Sequence, residues 1–134
     1  MGCAALTVRQ SVDRARSLAL IERAAAFEVT GGVTVNDLVN GCALFDVVDG
    51  EGRAVAAFAL RVDQFEAGRQ LSVMAAGGKG DNGATEAMAA WCERQAGEHI
   101  GARVLTCQTR RRGLVRRLER QGYRVTGYVL SKEI

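Results

Sequence analysis

Hydrophobic positions in the first third of the chain recur every three or four residues, the spacing of one face of an α-helix. The pattern runs over Val12–Phe27, with Ser11 at the helix start, and it stops at Gly31-Gly32. A shorter helix is predicted over Thr34–Gly41, where the glycine ends it. Leu6–Gln10 is predicted as a short strand ahead of both helices.

The period changes in the middle of the chain to that of β-strands. Two β-rich runs, Ala43–Val48 and Ala54–Val62, flank Asp49-Gly-Glu-Gly52, whose residue types favour a hairpin turn. A third run, Gln70–Ala76, is expected to lie antiparallel to the second. Three successive strands are therefore predicted to form a meander.

Helical and strand patterns alternate in the last third. The predicted elements are a helix at Ala84–Gln95, a strand at Arg103–Gln108, a helix at Gly113–Gln121 with Gly122 just past its end, and a strand at Arg124–Leu130. This order predicts one α/β domain over residues 1–134. Its central sheet should be mixed, mostly antiparallel and flanked by helices.

The composition is typical of a soluble globular protein, with 48% hydrophobic residues, 25% charged residues and a net charge of +3. The four cysteines contain no CxxC pair, which favours reduced thiols in a cytoplasmic protein over disulfides or a metal site. His99 is the only histidine, so a histidine-based metal centre is not expected. No run approaches the length of a membrane span, and Leu6 replaces the Ser or Thr of an N-terminal acylation motif.

A glycine-rich segment, Ala75-Ala-Gly-Gly-Lys-Gly-Asp-Asn-Gly83, joins the third predicted strand to the helix Ala84–Gln95. Glycines let the backbone turn tightly and approach a ligand, and a helix start offers N–H groups and the positive end of its dipole. Lys79 adds a full positive charge. The segment therefore predicts a site for a phosphate or pyrophosphate.

Residues Gly78–Gly83 also match the G-x-G-x-x-G pattern of dinucleotide-binding folds. Those folds place the pattern at the start of a repeated β-α-β array, whereas here it follows a meander. A P-loop is excluded because no Gly-Lys-Ser/Thr occurs. The element order instead favours the pyrophosphate of an acyl-coenzyme A, with the pantetheine arm along a splayed strand.

On these features the chain resembles the GNAT family of N-acetyltransferases over nearly its whole length. The resemblance rests on the helix pair, the hairpin within Cys42–Asp63, the strand and loop Leu71–Gly83, and the closing Leu114-Val-Arg-Arg-Leu-Glu-Arg-Gln-Gly-Tyr123. Ala75-Ala-Gly-Gly-Lys79, with the arginine-rich stretch downstream, looks closest to small divergent members carried by phages.

The resemblance implies a GNAT-like acyl-CoA N-acyltransferase fold and transfer of an acetyl or other acyl group from acyl-CoA to an amine. Acetyl-CoA or another acyl-CoA would be the co-substrate, and the amine acceptor is not specified. Strand backbone N–H groups would polarise the thioester carbonyl, and the loop would hold the pyrophosphate. The implied binding residues are Met74, Ala75, Ala76, Gly78, Lys79, Gly80, Asp81, Asn82, Gly83 and Ala84.

The chain departs from the family pattern at three places. Ala75 stands at the first position of the Gln/Arg-x-x-Gly-x-Gly/Ala loop pattern, and Leu118 stands where many members have a tyrosine as general acid. An asparagine frequent after the fifth-position strand is absent from Gln108–Arg112. No catalytic residue is therefore assigned, and a catalytically inactive binding or virion-associated protein of the same fold is the alternative.

Several side chains have both a functional and a structural interpretation. Tyr123 could be an acid, Asp63 and Glu66 could deprotonate an amine, and Cys107 could attack an acyl group. The structural interpretations are favoured: Tyr123 packs in the core, the two acids are solvated turn residues, and Cys107 is a buried thiol. Tyr128 is assigned to packing or to an interface such as that of a homodimer, and Trp91 to the core.

Eight arginines and the single acid Glu119 lie between Arg103 and Arg124. Such a cluster is found on nucleic-acid-binding surfaces, but no aromatic residues are interleaved with these arginines and no nucleic-acid motif is present. A solvated helix face is favoured. The second interpretation is that one or two of the arginines contact the 3′-phosphate of coenzyme A. The third is that the cluster binds nucleic acid.

Overall fold

The computed structural model describes residues 5–24, 33–79 and 83–134. In chain order the elements are β1 (Thr7–Gln10), α1 (Arg14–Glu22), α2 (Val35–Val39), β2 (Ala43–Val48), β3 (Ala54–Phe65), β4 (Gly68–Gly78), α3 (Ala84–Gln95), a π-helical turn (Ala96–Ile100), β5 (Ala102–Cys107) and α4 (Arg112–Glu119). The meander predicted from the middle of the chain is β2, β3 and β4.

The described strands form one five-stranded sheet in the order β1-β2-β3-β4-β5. The first four are antiparallel neighbours, and β5 lies parallel to β4. A parallel neighbour needs a crossover, which α3 and the π-helical turn provide. The predicted mixed, mostly antiparallel sheet is confirmed.

Helices cover both faces of this sheet because successive strand residues alternate between them. On one face α1 and α2 bury Ile21 and Val39 against strand residues such as Ala57. On the other face α3 buries Met88 and Cys92 against a second set that includes Phe58. The long strands β3 and β4 therefore lie between two apolar layers.

The hairpin between β2 and β3 forms at the predicted turn. The Asp49 carboxylate accepts hydrogen bonds from the backbone N–H groups of Glu51 and Arg53, both at 2.9 Å. The backbone hydrogen bond from Arg53 is the main reason that the pKa of this carboxyl lies below its usual value. The local sequence thus stabilises the turn that sets the register of the two strands.

The first helix is shorter than its hydrophobic pattern predicts. Asp13, not Ser11, is its N-cap, and its carboxylate accepts from the Arg16 backbone N–H at 3.1 Å. Ser11 lies instead within hydrogen-bonding distance of the Ser17 hydroxyl, at 2.6 Å. The helix ends at Glu22, and the rest of the predicted segment from residue 25 lies outside the described residues.

The buried Asp46 side chain joins α1 to β2. Its carboxylate accepts a 2.6 Å hydrogen bond from the Ser17 hydroxyl and lies 3.5 Å from the Arg16 guanidinium. Ser17 and Asp46 have no exposed surface. A buried carboxylate needs such partners, so this contact fixes the position of α1 on the sheet.

The predicted closing strand at Arg124–Leu130 is wrong. Helix α4 ends at Glu119, two residues before the predicted end at Gln121; Gly122 follows at φ 94, and the Tyr123 backbone N–H donates to the Leu118 carbonyl at 3.1 Å. Residues 124–134 then carry no regular secondary structure. A strand needs a paired neighbour, and the described part of the chain provides none for this segment.

None of the described helices is long and apolar enough to cross a membrane.

Candidate functional site

Strand β4 contains an extra residue opposite β3. Ala59 pairs with Ala75, but the next pair along β3 is Leu60 with Val73, so Met74 has no cross-strand partner. A single unpaired residue is a β-bulge, which bends the strand and increases its twist. The bulge therefore changes the course of β4 at Met74.

Strands β4 and β5 part at this same point. Their last paired residues are Val73 and Cys107, whereas β4 continues with β3 as its neighbour as far as Gly78. Beyond Val73 one edge of β4 is thus hydrogen-bonded to β3 and the other faces a gap instead of β5. Among residues 5–24, 33–79 and 83–134 no strand pairs with that edge, so its backbone donors and acceptors can bind a ligand.

A cavity of about 300 Å³ occupies this gap. Its lining includes Ile21 and Val35 from the helices on one face and Met88 and Leu114 from those on the other. The cavity is therefore bordered by both layers of the fold. Residues Ser72–Gly78 of β4 form the wall of the cavity on the side of the sheet.

The structure places the predicted binding residues in three groups. Met74, Ala75 and Ala76 line the cavity on the edge of β4 that faces the gap. Gly83 and Ala84 lie at the start of α3. Gly80, Asp81 and Asn82, the centre of the predicted phosphate loop, lie outside the described residues.

Gly77 and Gly78 belong to β4, not to the loop as the sequence suggested. A Cβ atom at Gly77 would lie 2.9 Å from the Ile21 Cα and 2.8 Å from its carbonyl oxygen, and closer still to the Leu20 carbonyl oxygen. A Cβ atom at Gly78 would lie 2.8 Å from the Val55 carbonyl oxygen. These two glycines therefore serve close packing of protein against protein.

Lys79 directly follows Gly78 and is exposed. Its backbone N–H donates to the Val55 carbonyl oxygen at 3.0 Å. Gly83 is the N-cap of α3 in a left-handed conformation, φ 82, which suits glycine. Ala84 and Thr85 in the first turn line the cavity. The positive end of a 12-residue helix is thus directed toward the gap.

The charged residues that line the cavity in the described part of the chain are all arginines. They are Arg23, Arg61, Arg111 and Arg117. No carboxylate or imidazole is among the described lining residues. The cavity therefore suits an anionic ligand and offers no side-chain general base of the usual kinds.

Asp63 and Glu66 lie where solvated residues are expected. The Asp63 carboxylate accepts a 3.1 Å hydrogen bond from the Arg61 guanidinium, and Glu66 is exposed in the turn between β3 and β4. The described geometry brings neither acid into the cavity lining. Both agree with the structural interpretation.

The cysteines of the described part are free thiols, at positions 42, 92 and 107. Cys107 lines the cavity, but burial raises the pKa of its thiol to about 11. Burial likewise raises the pKa of Cys92 to about 12. Because the thiolate is the nucleophile, Cys107 is poorly suited to attack an acyl group at neutral pH.

Leu118, at the family's tyrosine position, is buried with 6% of its surface exposed. Tyr123 is half-buried, and burial is the main reason that its pKa is raised. The ring centroid of Trp91 lies 4.7 Å from that of Phe45, with the rings tilted by 50°, and 5.8 Å from that of Phe58 in an edge-to-face arrangement. The core interpretation of Trp91 agrees with this aromatic cluster.

Some of the lining was not anticipated from the sequence. Ile21 and Val35 reach the cavity from helices that are distant in sequence from β4, and Thr85 reaches it from the first turn of α3. In the sequence Ile21 and Val35 are marked only as members of the predicted helices Val12–Phe27 and Thr34–Gly41. Two of the clustered arginines, Arg111 and Arg117, also line the cavity.

No protein-family model matches the chain, and no curated protein matches it in sequence. Solved structures do match it along its length. A GNAT family acetyltransferase from Staphylococcus aureus superposes with a TM-score of 0.65 at 12% identity, covering 96% of this chain and 98% of its own. A Trypanosoma brucei acetyltransferase gives 0.66 at 14% identity, covering 97% and 100%.

A transcriptional regulator from Bacillus halodurans also gives a TM-score of 0.66, at 12% identity, covering 97% of this chain and 100% of its own. At such identities the likeness establishes the fold. The chain has the fold of GNAT acetyltransferases, and the prediction made from the element order is confirmed.

Proposed function

We propose that residues 1–134 form one GNAT-like domain that transfers an acetyl or other acyl group from acyl-CoA to an amine. The observation that carries the proposal is the parting of β4 from β5 beyond Val73 and Cys107, at the Met74 bulge. The gap leaves a free backbone edge along a cavity bordered by both faces of the sheet. An extended pantetheine arm carries amide groups that such an edge would bind.

Different parts of the coenzyme would occupy different parts of the cavity. The edge formed by Met74, Ala75 and Ala76 would hold the pantetheine arm as an added strand. The helix start at Gly83 and Ala84 would hold the pyrophosphate together with the segment Lys79–Asn82. Arg111, which precedes α4, and Arg117, within α4, would contact the 3′-phosphate of the coenzyme.

The thioester of the co-substrate supplies an activated acyl group. In the reaction a carbon–nitrogen bond forms to the amine, the carbon–sulfur bond breaks, and the amine proton leaves as the thiol is released. Strand backbone N–H groups near Met74 would polarise the carbonyl. Because no carboxylate or imidazole is among the described lining residues, we propose that water removes the amine proton.

Substitutions at Thr85 separate ligand binding from protein stability. An aspartate in the first turn of α3 favours the helix dipole, so Thr85→Asp should leave the free protein at least as stable as Thr85→Asn. The same negative charge should repel a pyrophosphate. Titration calorimetry with acetyl-CoA should therefore show about tenfold or greater loss of affinity in the aspartate variant relative to the asparagine control.

Equal affinities of the two variants for acetyl-CoA would show that the start of α3 does not bind the pyrophosphate. Absence of binding by the unsubstituted protein at millimolar acetyl-CoA would overturn the proposed function as a whole. Salt-sensitive binding to DNA or RNA without acyl-CoA binding would favour the nucleic-acid interpretation of the arginines.

A binding protein without catalysis is the second candidate, favoured by the burial of Leu118 at the position of the usual tyrosine. Thioester cleavage measured over a broad panel of amines distinguishes the two. Binding without turnover for any amine would favour this candidate.

Free thiols at Cys42, Cys92 and Cys107 support the proposal that the protein works in a reducing compartment such as the cytoplasm.

A further inference from the structure

A polar row of side chains crosses the sheet at the cavity. It consists of Arg61 on β3, Ser72 on β4 and Thr106 on β5, because Arg61 pairs with Ser72 and Ser72 pairs with Thr106. Directly paired residues share a face of a sheet, and Arg61 follows Ala57 and Ala59 on the face that α1 and α2 cover. All three members of the polar row line the cavity.

The hydrogen bonds of the polar row leave one hydroxyl proton for a ligand. Ser72 is buried, and its hydroxyl oxygen accepts from the Thr106 hydroxyl at 2.9 Å and from the Gln70 amide at 3.3 Å. Two accepted bonds use both lone pairs of this oxygen, so its own proton is left to donate. Ser72 is therefore a hydroxyl donor that its neighbours hold in place.

Arg61 supplies a charged donor beside this hydroxyl. Its Nε donates to the Asp63 carboxylate at 3.1 Å, whereas its two Nη groups donate to no group among residues 5–24, 33–79 and 83–134. The nitrogens of a guanidinium form a planar fork that matches the two oxygens of a carboxylate. The polar row therefore combines a charged fork with a hydroxyl donor, a set that is complementary to a carboxylate.

The position of the polar row suits the acyl acceptor. The proposed pyrophosphate site at Ala84 belongs, with Met88, to the layer on the other face of the sheet. Ser72 and Met74 are two residues apart, about 7 Å along an extended strand, so a small molecule at the polar row would reach a thioester near Met74. The row is thus separate from the phosphate groups of the coenzyme and close to its reacting end.

We propose that the acceptor is an amine that carries a carboxylate, as an amino acid does, and that Arg61 and Ser72 bind this carboxylate. The proposal rests on the proposed acyl transfer and adds the chemical class of the acceptor. Acceptors with several positive charges are disfavoured for the same reason, because every charged residue in the described lining of the cavity is an arginine.

Kinetics with amino acids and their carboxamides test the proposal, with kcat/KM referred to the unprotonated amine. Cleavage of acetyl-CoA should give a kcat/KM at least about tenfold higher for each carboxylate than for its carboxamide. In Arg61→Gln this ratio should fall toward one, mainly through a higher KM for the carboxylate. The Arg61 side chain is 45% exposed, so loss of its ion pair should cost little stability, which thermal unfolding checks.

Asp63→Asn and Arg124→Gln are the matched controls. The first removes the partner of Arg61 but keeps the guanidinium, and the second removes an exposed arginine outside the described lining. Both should keep the preference for the carboxylate. Equal kcat/KM within the pairs, an unchanged ratio in Arg61→Gln, or a lost preference in Asp63→Asn overturns this proposal and leaves acyl transfer standing. No turnover of any amine overturns both proposals.

Discussion

Gly77 of β4 and Ile21 of α1 are in such close contact that a Cβ atom at Gly77 would lie 2.9 Å from the Ile21 Cα. Backbone atoms, unlike the end of a flexible side chain, cannot move aside without shifting the whole helix. Ile21 also lines the cavity. This contact therefore sets how near the first helix lies to the gap between β4 and β5.

Gly77→Ala is expected to lower the free energy of unfolding by about 1–3 kcal/mol, because the added methyl group displaces α1. Acetyl-CoA affinity should fall with it. Gly97→Ala is the matched control, since a Cβ atom at Gly97 meets nothing within 4 Å. Urea denaturation checks the stabilities, and equal losses for the two variants would contradict the close-packing role of Gly77.

Ser17→Ala should destabilise the protein by about 1–3 kcal/mol, because it leaves the buried Asp46 carboxylate without its 2.6 Å hydrogen bond. Ser131→Ala, in the exposed C-terminal segment, serves as control and should change little. Chemical denaturation at neutral pH measures both. A stable Ser17→Ala variant would show that the remaining partners of Asp46 suffice.

Removal of Met74 by a one-residue deletion should abolish acetyl-CoA binding. Without the extra residue β4 would pair with β3 in continuous register, and the strand would lose the bend that follows Val73. Met74→Leu keeps the residue count and should keep binding. Calorimetry compares the variants, and a deletion variant that still binds acetyl-CoA would contradict the role given to the bulge.

Stability should fall in alkaline solution. The pKa of Cys92 is raised to about 12 and that of Cys107 to about 11, so the fold favours the neutral thiols. Their stabilising effect is complete below the ordinary thiol pKa of 9.0 and is lost as the pH rises through the folded values. Each thiol should then contribute a slope of up to about 1.4 kcal/mol per pH unit.

Cys107→Ala should reduce the slope with which the free energy of unfolding falls as the pH rises above neutral. For each protein this free energy is compared with its own value at neutral pH. The onset of the loss for Cys107 is expected at about pH 9, and the loss ends near its folded value of about 11. Denaturation series at increasing pH provide the measurement. An unchanged slope in the variant would show that the Cys107 thiol does not titrate with unfolding.

The sequence predicted best those elements whose ends carry local chemistry. The helix Ala84–Gln95 was predicted to the residue, because Gly83 precedes it and its apolar face is regular. The hairpin at Asp49 was predicted from its own turn residues. In both cases the residues that decide the structure lie within the element or beside it.

Features that depend on distant contacts were missed. The tight spacing around Gly77 is set by α1, more than fifty residues earlier, so the sequence placed this glycine in the loop. The Met74 bulge has no local residue signature. The pattern around Tyr128 has strand character, but strand formation depends on a neighbour that the pattern does not specify.

The free edge of β4 beside the Met74 bulge is made of main-chain atoms, and these are the same whichever side chains the strand carries. Substitutions can therefore accumulate along the strand while the hydrogen-bonding groups that face the gap persist. An edge of this kind is determined by chain geometry and leaves little trace in residue identity. The 12–14% identity to proteins of the same fold is the degree of divergence that such an architecture tolerates.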